Sequence, residues 1–198
     1  YDLVMPKIVD HDKRRFTIAQ AAVTVIAEQG LEATKLSDIA RLAGMTTGSV
    51  SHYFSGKDAV LMAALEMSYD MMFADMAEVS ATKNYSFYDI IVRALPITQQ
   101  KRTAMTVWMA FCSRSLAVAE VGRHQTDSHF RWHSKVKQEL KRHCERNGVA
   151  MPDDADDLCQ GITAQINGLV IRSLTEEAAW PEARQRKLLK TYLAQIGL

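Results

Sequence analysis

Between Leu36 and Lys57 the chain reads LSDIARLAGMTTGSVSHYFSGK, and few folds accept that string. It predicts two short helices joined by a tight turn. Ser37 caps the first, its hydroxyl accepting from an otherwise unpaired amide. Ala40 is small where the two helices approach closely. Gly44 supplies a residue able to take φ > 0 at the turn. Thr46 caps the second helix, and Val50 and Phe54, at i and i+4, bury it against the first. Thr47, Ser49, Ser51 and His52 are left on other faces, with Tyr53 alongside. This is the grammar of a helix-turn-helix.

The flanks extend the pattern. Residues 12–29 form a helix with Phe16, Ala19, Val23 and Ile26 on one stripe, ended by Gly30. Ser55-Gly56-Lys57-Asp58 reads as a capping box before a long apolar-periodic segment. Lys57 is out of place there, because a cation in the first turn opposes the helix macrodipole. It makes sense if a phosphate sits at that helix end, held by amides and the ammonium together. The helix at 47–53 is then expected to enter a DNA major groove. Thr47, Ser49, Ser51 and His52 would reach base edges or nearby phosphates, and Gly48 would let the backbone approach. Tyr53 and Lys57 would hold phosphates, which fix register rather than sequence. With Ser37 and Thr46 at the helix starts, these are the expected DNA-binding residues. Arg14 and Arg15 either touch the DNA backbone or minor groove, or are solvated.

Charge argues against a strong basic field. The formal net charge is +1, and residues 1–60 carry seven Lys and Arg against seven Asp and Glu. A basic domain is the usual footprint of a DNA binder, so specificity here must rest on dimer geometry and a few placed groups. Three cysteines, Cys112, Cys144 and Cys159, have no C-x-x-C spacing and are odd in number. With no signal peptide this reads as a protein of the reducing cytoplasm. No run approaches about 18 uninterrupted apolar residues, so no membrane span is expected. Met5-Pro6-Lys7 reads as a natural start, and Tyr1-Asp2-Leu3-Val4 ahead of it are left out of the fold reading.

Beyond the opening motif nothing reads as a strand. Helical patterns recur at about 57–80, 86–98, 101–118, 124–146, 154–175 and 182–196, with breaks at Thr82-Lys83-Asn84, Pro96, Gly122, Asn147-Gly148, Pro152-Asp153 and Pro181. The expected fold is all-α, about nine helices: a three-helix N-terminal helix-turn-helix domain over 5–56 and a C-terminal helical ligand-binding and dimerisation domain over 57–198. The helix at 57–80 starts at the DNA end and runs into the core, as a mechanical connector. Its five methionines, Met62, Met67, Met71, Met72 and Met76, are either core or the flexible wall of a pocket that repacks.

The last two helices carry broad apolar faces: Leu158, Ile162, Ile166 and Leu169 on one, Leu189 and Leu193 on the other. Gly161, Ala164 and Gly168 form a small-residue stripe. These faces are either monomer core or a two-fold dimer interface through a four-helix bundle. The dimer has an argument of its own, since a single reading helix covers few base pairs and half-sites about 34 Å apart multiply specificity. Trp108 and Phe111 share a helix face with Met105 nearby, and Phe130 and Trp132 follow on the next helix. They are either plain core or an aromatic site able to hold a quaternary ammonium. His129 and His133 stand at i and i+4, near His124 and Asp127. A third ligand and an H-E-x-x-H are missing, so they read as solvated or capping residues rather than a metal site. No nucleophile elbow, phosphate-cradling glycine loop or paired-carboxylate motif suggests an enzyme, and neither a cofactor nor a metal is expected.

Residues 14–65 resemble the N-terminal domain of TetR-family transcriptional repressors. The resemblance rests on Gly30, Thr34, Ile39, Ala40, Ala43-Gly44, Thr47-Gly48, Tyr53-Phe54, Lys57 and Leu61. Within that family the chain is most similar to BetI-type repressors, which respond to choline or related quaternary amines. Here the carrying residues are Met5-Pro6-Lys7, Arg14-Arg15, residues 47–54, Trp108-Met109-Ala110-Phe111 and residues 166–172. The sequence departs at Ser51, where many relatives have an aromatic, and at Asn167, where BetI-like chains usually have an acidic residue. The first concerns operator contacts; the second alters pocket or interface polarity. The resemblance implies a homodimeric repressor on double-stranded operator DNA, released by a small-molecule inducer such as choline. It implies a ligand site at Trp108, Phe111, Met105 and Phe130, and a dimer interface at Leu158, Ile162, Ile166, Leu169, Leu189 and Leu193. Two alternatives stay open: the same fold answering to a cationic drug, an acyl thioester or a nucleobase, and a ligand-binding module without DNA activity.

Overall fold

Helical periodicity governs the folded chain almost throughout. The computed structural model describes residues 11–198, and among the described residues there are nine α-helices and no strand. They are α1 (His11–Gln29), α2 (Leu36–Leu42), α3 (Thr47–Ser51), α4 (Lys57–Ser80), α5 (Phe87–Ile91), α6 (Gln99–Ser115), α7 (Ala119–Asn147), α8 (Ala155–Thr175) and α9 (Glu182–Gln195). Met5-Pro6-Lys7 and the residues ahead of it lie outside the described residues. Two compact units part inside α4, the first ending at Met67 and the second beginning at Ser68.

In the first unit α1 buries Ile18, Ala19, Ala22, Val25 and Ile26. That face is centred on Ala22. Phe16, expected on the stripe, stands six residues back, about 120° around the helix, and is 58% exposed. Gly30, at φ +82°, ends the helix. Thr34 is fully buried and donates its hydroxyl to the Gly30 carbonyl at 2.7 Å, fixing the path into α2. The first residue of α2 is Leu36. Its N-cap is Lys35, in extended backbone with no side-chain cap. Ser37 is therefore already inside the first turn, and the capping role expected of it is not made. Thr46 does cap α3, accepting from the Ser49 amide at 3.1 Å. Gly44 sits at φ +67°, and the Met45 amide closes the turn on the Ala40 carbonyl at 2.8 Å. Val50 and Phe54 are buried.

The second unit has two departures from the sequence pattern, each with a local cause. The helix expected over 86–98 stops as α5 at Ile91, followed by a 3₁₀ turn over Val92–Ala94. Leu95 is extended, as a residue before proline must be to avoid the ring of Pro96. Gly122 breaks nothing, because α7 starts at Ala119 and runs through it. A Cβ there would stand 3.3 Å from the Ser115 carbonyl, so the glycine permits close approach to the end of α6. At the far end of α7, Gly148 takes the left-handed cap at φ +66°.

A fully buried carboxylate ties this unit together. Glu139 of α7 accepts from Ser80 at the end of α4 and from Tyr85 before α5, both at 2.9 Å. Lys135 and Arg142 flank it at 2.9 and 2.8 Å. Burial alone would raise the Glu139 pKa, but donation from Lys135, Tyr85 and Ser80 outweighs it and holds the group below the usual carboxylate range. A depressed folded-state pKa gives stability that is present above the unfolded value and lost as pH falls through the folded one. Glu139→Ala leaves two cations and two hydroxyls without their acceptor, and should cost about 3–5 kcal/mol in urea unfolding at pH 7. That deficit should shrink as the pH falls below about 4; a deficit unchanged with pH would show that the carboxylate charge is not what the network uses.

Candidate functional site

The two short helices of the first unit frame a concave surface of about 800 Å³, lined by Arg14 of α1, Ser37 and Arg41 of α2, Thr46, Thr47 and Ser49 at the start of α3, and Tyr53 beyond it. Five of the residues expected to meet DNA thus share one surface: Ser37, Thr46, Thr47, Ser49 and Tyr53. Gly48, Ser51 and His52 are exposed beside it without lining it. The Ser51 hydroxyl turns back onto the Thr47 carbonyl at 3.1 Å. Lys57 is half-buried and opens α4.

The two arginines of α1 divide their roles. Arg14 lines the surface. Arg15 lies 4.1 Å over the Phe54 ring and donates to the Tyr53 carbonyl, so it clamps α1 to the chain leaving α3. The His11 ring lies 4.9 Å from the Tyr53 ring. Arg41 also lines the surface, at i+4 from Ser37 on the same face of α2, a spacing that the sequence contains. It is exposed and held loosely by Asp38 at 3.5 Å. The surface thus displays two cations, on a unit with no net basic excess.

The second unit contains an inner cavity of about 40 Å³. Ser68, Tyr69 and Met72 of α4 form one wall, with Met105 and Trp108 of α6, His129 and Trp132 of α7, and Thr163, Ile166, Asn167 and Val170 of α8. Three aromatics face it, and no Asp, Glu, Lys or Arg does. Its two titratable members, Tyr69 and His129, shift in the direction that disfavours the charged form. Burial raises the Tyr69 phenol far above its ordinary value and lowers the His129 imidazole. Tyr69 donates to the Gln125 carbonyl at 2.7 Å, and Gln125 donates to Cys112 at 3.4 Å. Burial pushes that thiol up to about 11. Trp132 donates its indole N–H to Thr163 at 2.9 Å.

Trp108 and Met105, expected at a ligand site, are both on this cavity. Phe111 and Phe130 are not. Phe111 is 1% exposed and does not line it, having turned into the packed interior. Phe130 is 71% exposed. It stands two residues from Trp132, about 200° around α7, so with Trp132 inside it must face out. Tyr69, Thr163 and Asn167 complete the wall from helices too distant in sequence for spacing to join them. Of the paired histidines, His129 faces the cavity and His133 bonds Asp156 at 3.0 Å, while both border an outer groove between α7 and α8. Among the described residues no cluster of three or more His, Cys, Asp or Glu could hold a metal. No described helix is long and apolar enough to cross a membrane.

The residues expected at a dimer interface are already committed. Ile162, Ile166, Leu169, Leu189 and Leu193 are at most 4% exposed in the single chain, inside its apolar core, and Leu158 packs against that core. The small-residue stripe splits as well. A Cβ on Gly161 would stand 3.2 Å from the Tyr192 hydroxyl, so Gly161 admits α9 within the chain, while Gly168 meets nothing. The outward stripe of α8 is Gln160, Ala164, Gly168 and Ile171.

Comparison with known proteins bears on both units. Residues 18–64 match the family model described as bacterial regulatory proteins, tetR family, and residues 87–198 match that of the BetI-type transcriptional repressor C-terminal domain. The chain is 29% identical to the HTH-type transcriptional regulator BetI of Proteus mirabilis, over 96% of this chain and 94% of that one. It is 31% identical to BetI of Burkholderia ambifaria over 85% and 86% of the two chains, and 26% identical to the regulator PksA of Bacillus subtilis over 97% and 94%. Among solved structures, a putative transcriptional regulator from Saccharomonospora viridis in complex with choline superposes with a TM-score of 0.79 at 23% identity, over 92% of this chain and 96% of that one.

Proposed function

The chain belongs to the TetR family of bacterial regulatory proteins and carries a BetI-type repressor C-terminal domain; from that premise we propose that it represses as a homodimer, letting go of its operator when a quaternary amine of the choline class enters the inner cavity. The observation that carries the effector is the wall of Tyr69, Trp108 and Trp132 around an uncharged space. An ammonium with no hydrogen to donate is held by aromatic faces, at about 2 kcal/mol when desolvated. The volume agrees: about 40 Å³ is room for roughly three waters, which suits a trimethylammonium head. An acyl thioester or a multi-ring drug would require the walls to open. The Saccharomonospora viridis neighbour was solved with choline.

On the DNA side, α3 enters the major groove with Thr47, Gly48, Ser49, Ser51 and His52 toward the bases. Tyr53, Lys57 and Arg14 hold phosphates, with Arg41 added to them. Pairing two chains supplies the second half-site about 34 Å away, and the outward stripe of α8 at Gln160, Ala164, Gly168 and Ile171 is the face for it. Release is a population shift, in which the ligand acts through its different affinity for the two arrangements of the dimer. Tyr69 ties the cavity to α4, the helix that begins at Lys57. A coupling of about 1–3 kcal/mol would weaken operator affinity roughly 5–150-fold.

Two measurements test this. Tyr53→Ala or Lys57→Ala should weaken operator binding across sequences and lower the salt slope by about 1 for each phosphate no longer held; affinity and slope unchanged in both variants would overturn the docking. Trp108→Ala should bind operator normally in a gel-shift titration yet fail to release it with choline. Calorimetry then decides, since a variant that binds choline as the wild type does removes Trp108 from the site.

A further inference from the structure

The inner cavity shares part of its wall with a second, wider space. Ser68, Met72 and Met105 also line a groove of about 480 Å³ bordered by α4, the start of α6 and α9. Along α6, Lys101, Met105 and Trp108 follow at i, i+4 and i+7, so one helix face leads from groove to cavity over a rise of about 10 Å. The two methionines between the compartments are flexible, unbranched side chains that can move aside.

The compartments differ in charge. The cavity has no charged group, whereas the groove has Arg93, Lys101 and Arg186 against Asp75 and Glu78. Arg186 is held by Glu182 at 2.7 Å. Glu78 lies a further turn along α4 from Met72 than Asp75 does. Beside the methionines, then, two cations share one carboxylate: Asp75 takes Lys101 at 2.5 Å and Arg93 at 3.4 Å. Lys101 is only 19% exposed and spends a second donor on the Arg93 carbonyl at 2.9 Å, which leaves one of its three N–H groups for a ligand. The positive end of α6 adds to the field, with Thr98 and Gln100 on the groove wall.

A bare cation entering the cavity leaves its counter-charge in water, and aromatic faces offset only part of the desolvation cost. A ligand that carries its own anion meets Lys101 and Arg93, which share the single carboxylate of Asp75 beside the methionines, one helical stretch away. We propose that the effector is a zwitterion. Its quaternary ammonium sits against Trp108, and its carboxylate or phosphate passes Met72 and Met105 to bond Lys101 and Arg93. This rests on the reading of the cavity as a quaternary-amine site.

The test is calorimetry on the full chain at low salt with three probes sharing a trimethylammonium head: choline, γ-butyrobetaine with a carboxylate, and phosphocholine with a phosphate. At least one zwitterion should bind about tenfold or more tighter than choline, the scale of a hydrogen bond to a charged group; which one gains identifies the anion. Lys101→Met should bring that ratio to within about threefold, and Lys101→Arg should keep it. Lys101→Gln reads the same ratio if Lys101→Met does not fold. Choline binding as tightly as both zwitterions, or an advantage that survives removal of the Lys101 charge, overturns the proposal. Trp108-dependent choline binding with no zwitterion advantage sinks this inference alone, whereas binding of none of the three sinks the quaternary-amine reading with it.

Discussion

One helix carries most of what the protein needs. α4 runs from Lys57 to Ser80 with no glycine or proline, and its Ala, Leu, Met and Glu content favours an uninterrupted helix about 36 Å long. Lys57 opens it directly after the reading segment. Tyr69 and Met72 wall the cavity, Asp75 holds the cations of the groove, and Ser80 reaches Glu139. A stiff element cannot absorb a local displacement by bending, because close-packed interiors pass strain on rather than dissipate it. On the proposed mechanism, a ligand that shifts Tyr69 would displace more of α4 than the turn it touches. Continuity of α4 is what the proposed coupling would require, and a single proline inside it would break that continuity by removing a backbone hydrogen bond and kinking the helix.

The chain has almost no net charge, so its electrostatics are a matter of placement. Arg14 and Arg41 stand on the concave surface while Arg15, next in sequence, is spent on Phe54 and Tyr53. Glu139 is buried, but hydroxyls and two cations surround it. Asp75 does the equivalent work at the groove with one carboxylate for two cations. The cavity of the second unit is lined by no Asp, Glu, Lys or Arg. Such a layout gives weak long-range attraction for DNA and leaves discrimination to short-range contacts, where a misplaced partner costs more than a missing field.

How much of this was legible in the sequence depended on whether the deciding contact was local. Thr46, Gly44, Val50 and Phe54 were readable because caps, φ > 0 turns and i, i+4 packing are properties of one short segment. Ser37 misled because serine suits a cap anywhere near a helix start, and the backbone began its turn one residue earlier, at Leu36. Pro96 explains the shortened α5 by a nearest-neighbour clash that the sequence does contain. The apolar faces of α8 and α9 left a choice that periodicity cannot make. Periodicity says that Ile162, Ile166 and Leu189 must be covered, but not by what, and here the covering is the chain's own core. Trp132 and Phe130 could have been separated in advance, since residues two apart cannot share a helix face. Tyr69, Thr163 and Asn167 could not, because only the tertiary fold brings α4 and α8 to one cavity.

Asn167 bears on the proposed specificity, because an amide and a carboxylate would treat a bound cation differently. It lines the cavity, at the position where the resemblance to BetI-type repressors implies an acidic residue. A carboxylate there would neutralise a bound ammonium in place, and the rest of the ligand would matter little. An amide offers a dipole instead of a charge, which holds a cation more weakly in a medium of low dielectric. Under the proposed quaternary-amine reading the aromatic faces would still favour the cation, and the balancing charge would have to come from elsewhere. Only the ligand itself or the solvent can supply it, and solvent is a poor source for a space that admits about three waters. On the proposed pose, selectivity would move outward along α6, from a head group at Trp108 to whatever the remainder of the ligand presents at Met105 and Lys101.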